Sequence, residues 1–317
     1  MKIKKNKFLF KMILCTISIA VFITGCSSVN GIDKIALTYV KAPLNVPSIV
    51  QKDKGLFQKE FEKDKIEVEF STITSGPQQT QALAAGEIDF LNAVGGTSVI
   101  LAAANGVDLK VISTYSRAAK AFMIITNSEQ IKSPKDLKGK KIGGPKGTIL
   151  HQLLMTSLDK NGLNSDDVEF ISMNIPDALS ALSNNQIDAA LLAGPAALKA
   201  IKGRAKVVTT GENLIDGTIV VAASDKIIKE HPEIVEKFLK VQKNSIEYIE
   251  NNLEESFNIT SQETGLSKED VKQMYNWYDF NPEIKDSDID GLKKTQEFLL
   301  QSGMLEKKID IDNIIMK

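Results

Sequence analysis

The stretch Thr74-Ser-Gly-Pro-Gln-Gln-Thr-Gln-Ala-Leu-Ala-Ala-Gly-Glu-Ile-Asp-Phe-Leu-Asn-Ala-Val-Gly-Gly-Thr97 changes rhythm several times within one short passage. Thr74–Pro77 is a cluster of turn formers. Gln78–Ala85 has the spacing of a short helix, Asp89–Val94 reads as a strand, and Gly95-Gly96-Thr97 opens an alanine-rich helix over Ser98–Asn105. Working outward, Lys34–Val40 and Ile66–Thr72 alternate like strands. Val46–Phe61 carries apolar residues at helical spacing, interrupted near Gly55, and Leu109–Tyr115 is a further strand. Strand–helix alternation predicts a parallel sheet covered by helices on both faces. In such sheets ligands bind beyond the carboxyl ends of the strands, where loops and helix starts gather.

The rhythm restarts at Ala121–Thr126. A capped short helix follows at Ser133–Leu137, a brief strand at Lys141–Gly143, and a helix over Thr148–Asn161 stopped by Gly162. Val168–Ser172, Pro176–Asn184, Ala189–Ala193 and Pro195–Ile201 continue the pattern. Thr218–Ala223 reads as a strand returning to the first sheet, and the chain from Pro232 on is mostly helical. The expected fold is α/β, with two α/β lobes around a central ligand cleft. Lobe 1 comprises residues 34–117 and 213–317, and lobe 2 comprises 118–212. Crossovers fall near Tyr115–Ala121 and Gly211–Thr218, where Gly211 and Gly217 can absorb dihedral changes.

Composition narrows the chemistry. The chain has 317 residues, 43% apolar and 25% charged, with a formal charge of −1, so neither a disordered chain nor a nucleic-acid footprint is expected. Arg117 and Arg204 are the only arginines, His151 and His231 the only histidines, and Cys15 and Cys26 the only cysteines. No metal-ligand spacing, nucleophilic triad or G-x-S-x-G elbow is present, so no cofactor and no enzyme activity are expected. At the N-terminus, Lys2, Lys4, Lys5, Lys7 and Lys11 precede an apolar run over Met12–Thr24 that ends in Ile23-Thr24-Gly25-Cys26. This is a signal peptide over residues 1–25, and it closes on what resembles a bacterial lipobox. Cys26 is then the lipidation site, with residues 26–33 as a tether. Removing residues 1–25 takes five lysines and no acid, which brings the formal charge to −6. A lipid-anchored body on the extracytoplasmic face of the cell membrane is expected.

Five loops at predicted strand ends supply the candidate site. They are the loop holding Pro43, Leu44 and Asn45; the Ser75–Gly76 turn; Gly96, Thr97 and Ser98; the crossover with Tyr115 and Arg117; and Lys146, Gly147 and Thr148, which open the helix carrying His151. Three of these precede helices, whose free N–H groups and positive dipole end suit a small oxyanion. Taken singly, a Ser or Thr in such a position is an ordinary helix cap. Arg117 can pair bidentately with an anion or serve as a surface hinge charge. His151 can donate to an anion or sit half-buried in its helix. Gly144–Thr148 lacks the spacing of a phosphate loop.

The run Thr74–Thr97, together with Asp136-Leu-Lys-Gly-Lys-Lys-Ile142 and Lys146-Gly147-Thr148, resembles the solute-binding proteins of nitrate, sulfonate and taurine ABC importers. The likeness runs from about Lys34 to Pro195. It implies a periplasmic-binding-protein type II fold that closes on its ligand, with an ABC permease and its ATPase as partners, and it places the ligand against the loops named above and Gly194. Family members often carry Asp where this chain has Gly96, and an aromatic-acid-proline motif where it has Ala193-Gly194-Pro195.

The expected function is therefore capture of a small organic anion, an aliphatic sulfonate, for import. Nitrate or a thiamine-pyrimidine precursor is the alternative ligand. A ligand-presenting sensor or an extracytoplasmic enzyme is the alternative function.

Overall fold

The computed structural model describes residues 31–316. The signal segment, Cys26 and most of the tether lie outside the described residues. The chain runs β1 (Lys34–Thr38), α1 (Val46–Asp53), α2 (Leu56–Phe61), β2 (Glu67–Ser71), α3 (Gly76–Ala84), β3 (Phe90–Gly95), α4 (Gly96–Ala104) and β4 (Leu109–Arg117). It continues through β5 (Phe122–Thr126), β6 (Lys141–Gly144), α5 (Ile149–Asp159), β7 (Glu169–Ser172), α6 (Ile175–Ser183), β8 (Ala189–Ala193), α7 (Gly194–Lys202), β9 (Lys206–Thr210) and β10 (Thr218–Ser224). Five helices complete it: α8 (Asp225–Glu230), α9 (Pro232–Asn251), α10 (Leu253–Thr264), α11 (Lys268–Tyr275) and α12 (Asp286–Gln301).

These strands form two five-stranded sheets, ordered β2-β1-β3-β10-β4 and β7-β6-β8-β5-β9. Neither is purely parallel, which corrects the sequence expectation. β10 runs antiparallel to both β3 and β4, and β5 runs antiparallel to both β8 and β9. The reason is topological. β4 ends where the chain leaves the first sheet, so β5 enters the second sheet from between the two and must run away from that boundary. β10 repeats the move on the way back. The sequence reading also missed β9, whose Lys206–Thr210 run is short and half exposed.

The two crossings lie against each other. The Gly211 N–H donates to the carbonyls of Ala119 (3.1 Å) and Phe122 (2.9 Å), and a β-carbon on Gly217 would stand 2.7 Å from the Ala119 nitrogen. The crossing glycines thus serve close packing as well as backbone freedom. Lys120 and Glu212 pair across the same point at 3.5 Å.

In the first sheet, Phe90 of β3 stacks on Phe238 of α9 at 4.1 Å between ring centroids. A bulge opposite Val220 and Val221 leaves Ala93 at φ 82°, so the strand does not alternate cleanly at its cleft end. Asn92, beside the bulge, enters a buried polar network. It donates to Gln51 Oε1 at 3.0 Å and accepts from Gln242 Nε2 at 2.9 Å, and Gln51 in turn donates to Ser245 Oγ at 2.9 Å. Each of these four residues is buried and paired, which is what makes so much polarity tolerable in a core. The open edge of β4 is covered by the C-terminal part of the chain, through bridges from Ile315 to Val111 and from Asp279 to Arg117.

Candidate functional site

Helices α1, α3 and α4 start at the carboxyl ends of β1, β2 and β3. Helices α5, α6 and α7 do the same for β6, β7 and β8. The two sets of starts meet. Ser98 Oγ at the head of α4 lies 3.5 Å from the Gly147 carbonyl before α5. A β-carbon on Gly194, at the head of α7, would fall 2.1 Å from the carbonyl oxygen of Pro43, so only glycine allows that approach. A β-carbon on Gly76 would fall 2.4 Å from Ser98 Oγ. Residues of opposite sheets thus approach each other at two points, Ser98 of the first with Gly147 of the second, and Pro43 of the first with Gly194 of the second.

The capping chemistry at these helix starts decides what they can bind. Ser75 and Thr148 occupy N-cap positions, but neither side chain accepts from its helix; Thr148 Oγ1 donates back to the Pro145 carbonyl at 2.8 Å. α4 and α7 begin after Gly95 and Ala193, which have no capping side chain to offer. Ser224 and Ser267 cap helices elsewhere, and Asn174 caps α6, which removes that helix from the uncapped set. At the meeting point the first-turn N–H groups of α3, α4, α5 and α7 are therefore free of side-chain caps and carry the positive ends of the helix dipoles. The segments Lys41–Asn45, Thr74–Pro77, Gly95–Ser98, Gly144–Thr148 and Ala193–Pro195 contain no acidic residue. Of their two lysines, Lys41 pairs with Glu263 at 3.3 Å, and Lys146 is exposed. Donors of this kind, with no acid beside them, have the chemistry to hold an acceptor-only anion.

α1 is different. Ser48 N–H donates to the Tyr115 hydroxyl at 3.1 Å, Ser48 Oγ lies 2.9 Å from that same oxygen, and Pro47 has no N–H. Asn45 is buried; its Nδ2 donates to the Ala42 carbonyl at 3.3 Å, and its Oδ1 has no partner among the described residues.

Four sequence-expected residues are placed otherwise. Leu44 is fully buried in the hydrophobic core. Tyr115 is buried and spends its hydroxyl on α1, and burial raises its pKa. Arg117 is committed within its own half: Nε donates to Asp288 Oδ1 at 2.7 Å, Nη1 to Asp279 Oδ2 and the Asn281 carbonyl, and Nη2 to Asp288 Oδ2 and the Glu283 carbonyl. Those five bonds use all five guanidinium donors, so none remains for a ligand. It is a staple between β4 and the segment leading into α12. His151 stacks on Phe170 of β7 at 4.7 Å, and its Nδ1 accepts from Gly147 N–H at 3.4 Å. Burial, and secondarily Lys146, push its pKa down to about 4 from the usual 6.5, so it is neutral at pH 7.

Gly96 has no room for a side chain. A β-carbon there would stand 2.5 Å from Leu292 Cδ2 of α12, so Leu292 fills the space that an aspartate would need. The sequence reading missed Gln152 and Thr295. Thr97 Oγ1 donates to Gln152 Oε1 at 3.1 Å, and Gln152 Nε2 donates to Thr295 Oγ1 at 3.1 Å. Nothing local marks a glutamine in Leu-His-Gln-Leu-Leu as meeting a threonine so far away in the chain. Among the described residues no group of three His, Cys, Asp or Glu side chains gathers to hold a metal ion.

Comparison with known proteins places the chain in a family and supports its fold. The family model described as NMT1/THI5 like matches residues 43–256, well over half of the chain. The chain belongs to the NMT1/THI5-like family. A Bacillus subtilis (strain 168) relative named as an aliphatic sulfonates-binding protein is 30% identical over 273 residues, covering 85% of this chain and 82% of its own length. Among solved structures, the alkanesulfonate-binding protein SsuA from Xanthomonas axonopodis pv. citri, bound to MOPS, superposes with a TM-score of 0.82 at 22% identity, over 90% of this chain and 98% of that one. The periplasmic aliphatic sulphonate binding protein SsuA from Escherichia coli gives 0.78 at 22% identity, over 90% and 92%. At that identity the likeness is one of fold, and the fold is that of a periplasmic binding protein. In this NMT1/THI5-like chain the match begins at Pro43, in the loop that approaches Gly194, and ends within α10.

Two consequences can be measured. Arg117→Ala should lower unfolding free energy in urea by about 3 kcal/mol, because it strands the buried Asp288 carboxylate, while leaving the affinity of a cleft ligand nearly unchanged. For His151 the folded pKa lies below the unfolded one, so the unfolded chain binds the extra proton between them. Stability should therefore fall as pH drops from 6.5 toward 4 and be flat above 6.5 on this account. His151→Phe should remove that part of the slope in pH-dependent melting.

Proposed function

We propose that this chain is the extracytoplasmic solute-binding component of an ABC importer, and that it captures an aliphatic sulfonate between two lobes that close. The lobes are residues 34–117 with 213–317, and residues 118–212. The observation that carries the reading is the convergence, from both sheets, of uncapped helix starts in loops without any acidic residue. A sulfonate is ionised at every physiological pH and offers only acceptors, which matches backbone N–H donors that bring no formal charge of their own. Ala193-Gly194-Pro195 contributes neither an acid nor an aromatic ring, so that wall suits a short alkyl tail better than a stacked heterocycle. The names of the relatives point the same way. A ligand touching both lobes has more contacts in the closed form and shifts the population toward it, giving a permease and its ATPase a distinct surface to read. Cys26 anchors the protein to the membrane through lipid, which keeps the captured solute beside the permease.

The test of ligand class is thermal unfolding and calorimetric titration of the purified protein with ethanesulfonate, MOPS, nitrate and an aminopyrimidine. Sulfonates should raise the melting temperature, since a ligand at 100 times its Kd adds about 2.7 kcal/mol to the folded state. A shift with nitrate or the pyrimidine and none with either sulfonate would overturn the assignment. For the anchor, Cys26→Ala should move the protein from the membrane fraction to the soluble fraction; an unchanged membrane fraction would falsify it.

A further inference from the structure

We propose that Gln152 is the positioning residue that latches the two lobes, and that it sets ligand affinity through closure without touching ligand. The proposal rests on the two-lobe reading above. Gln152 lies on α5 of the second sheet's half, yet both of its amide bonds cross to the first half, one to Thr97 at the head of α4 and one to Thr295 on α12. Thr295 passes its own hydroxyl hydrogen to the Gly291 carbonyl at 2.9 Å. The result is a directed chain, Thr97 to Gln152 to Thr295 to Gly291. Its three side chains are 1%, 7% and 8% exposed, so its hydrogen bonds are sheltered from competing water.

The chemistry of this seam is what closure requires. An apolar side chain in place of Gln152 between Thr97 and Thr295 would add to the buried apolar surface and favour closure whether or not ligand was present. A glutamine exchanges protein partners for water at small net cost, so the open form is not penalised and ligand contacts keep the deciding vote. The closed form is nevertheless specific, because the amide's acceptor and donor must each meet the right threonine, and a misaligned closure leaves buried groups unpaired. The surrounding contacts set how far closure goes: a β-carbon on Gly95 would lie 3.3 Å from Ile149 Cδ1, and one on Gly147 would lie 3.7 Å from Leu101 Cδ1. Because Thr97 stands at the head of α4 beside the donor cluster, the latch also fixes that helix start at the place where the anion is held.

The experiment measures closure directly, with no ligand present. Lys63→Cys and Lys135→Cys place labels on exposed positions, one in each half, and Cys15→Ala with Cys26→Ala removes the other thiols. Single-molecule energy transfer then gives the closed-to-open ratio. Gln152→Ala should lower that ratio by about tenfold, as expected for loss of buried hydrogen bonds. Thr295→Val should lower it too, whereas Thr295→Ser, which keeps the hydroxyl, should leave it as in the parent. The Gln152→Ala/Thr295→Val double variant should cost no more than Gln152→Ala alone. With MOPS as probe, dissociation should quicken in proportion to the lost closed fraction. A closed-to-open ratio equal in parent and Gln152→Ala overturns the latch, and so do additive losses in the double variant. Since the first measurement contains no sulfonate, its failure is separate from failure of the ligand assignment.

Discussion

The chain crosses between its two sheets twice, at one point, and most of the architecture follows from that constraint. A strand arriving from the boundary must run away from it, which reverses β5 and β10 within sheets otherwise parallel. All six parallel strands that feed helices into the boundary region then aim their carboxyl ends at it, three from each side. The helix starts are brought face to face by connectivity alone. The contact of Ala119 with Gly211 and Gly217 keeps the two crossings together, so the halves share one axis.

A division of labour among polar groups follows. Where helices start at the boundary, first-turn N–H groups of α3, α4, α5 and α7 are left without side-chain caps. Where polarity lies deeper, as at Asn92, Gln51, Gln242 and Ser245, every partner is internal. Tyr115 marks the border between these regimes, because its hydroxyl serves Ser48 at the start of α1 and so withdraws that helix from the donor set. The scarce arginine belongs to the structural regime. Its bidentate pair with Asp288 and its bonds to the Asn281 and Glu283 carbonyls hold the C-terminal segment on the edge of β4. Charge at the site is left to dipoles and one exposed lysine.

The strand–helix rhythm and the turn chemistry of the loops were legible in the sequence, because periodicity and glycine–proline punctuation are local. That Ser75, Gly76, Thr97, Ser98, Gly147, Thr148 and Gly194 each sit where a strand stops and a helix begins was legible for the same reason. For Arg117 and His151 the sequence left two roles open, because the choice depends on distant partners. Asp279 and Asp288 lie more than 160 residues from Arg117, and Phe170 sits on a neighbouring strand. Gln152 was invisible on that account too. Chemistry that belongs to one loop can be read from the chain; chemistry that needs two lobes to meet cannot.

Trp277 gives this arrangement an optical consequence. It is the only tryptophan in the chain, and it follows α11 in the C-terminal stretch that covers the first half. Its half-buried indole nevertheless packs against the apolar cluster of Met123, Ile125, Ala197 and Ala200 in the other half. Near it, Lys202 of α7 pairs with Asp270 of α11. Any rotation of one half against the other changes how much water that single indole meets. The molecule carries its own fluorescent gauge of movement, with no competing emitter of the same kind.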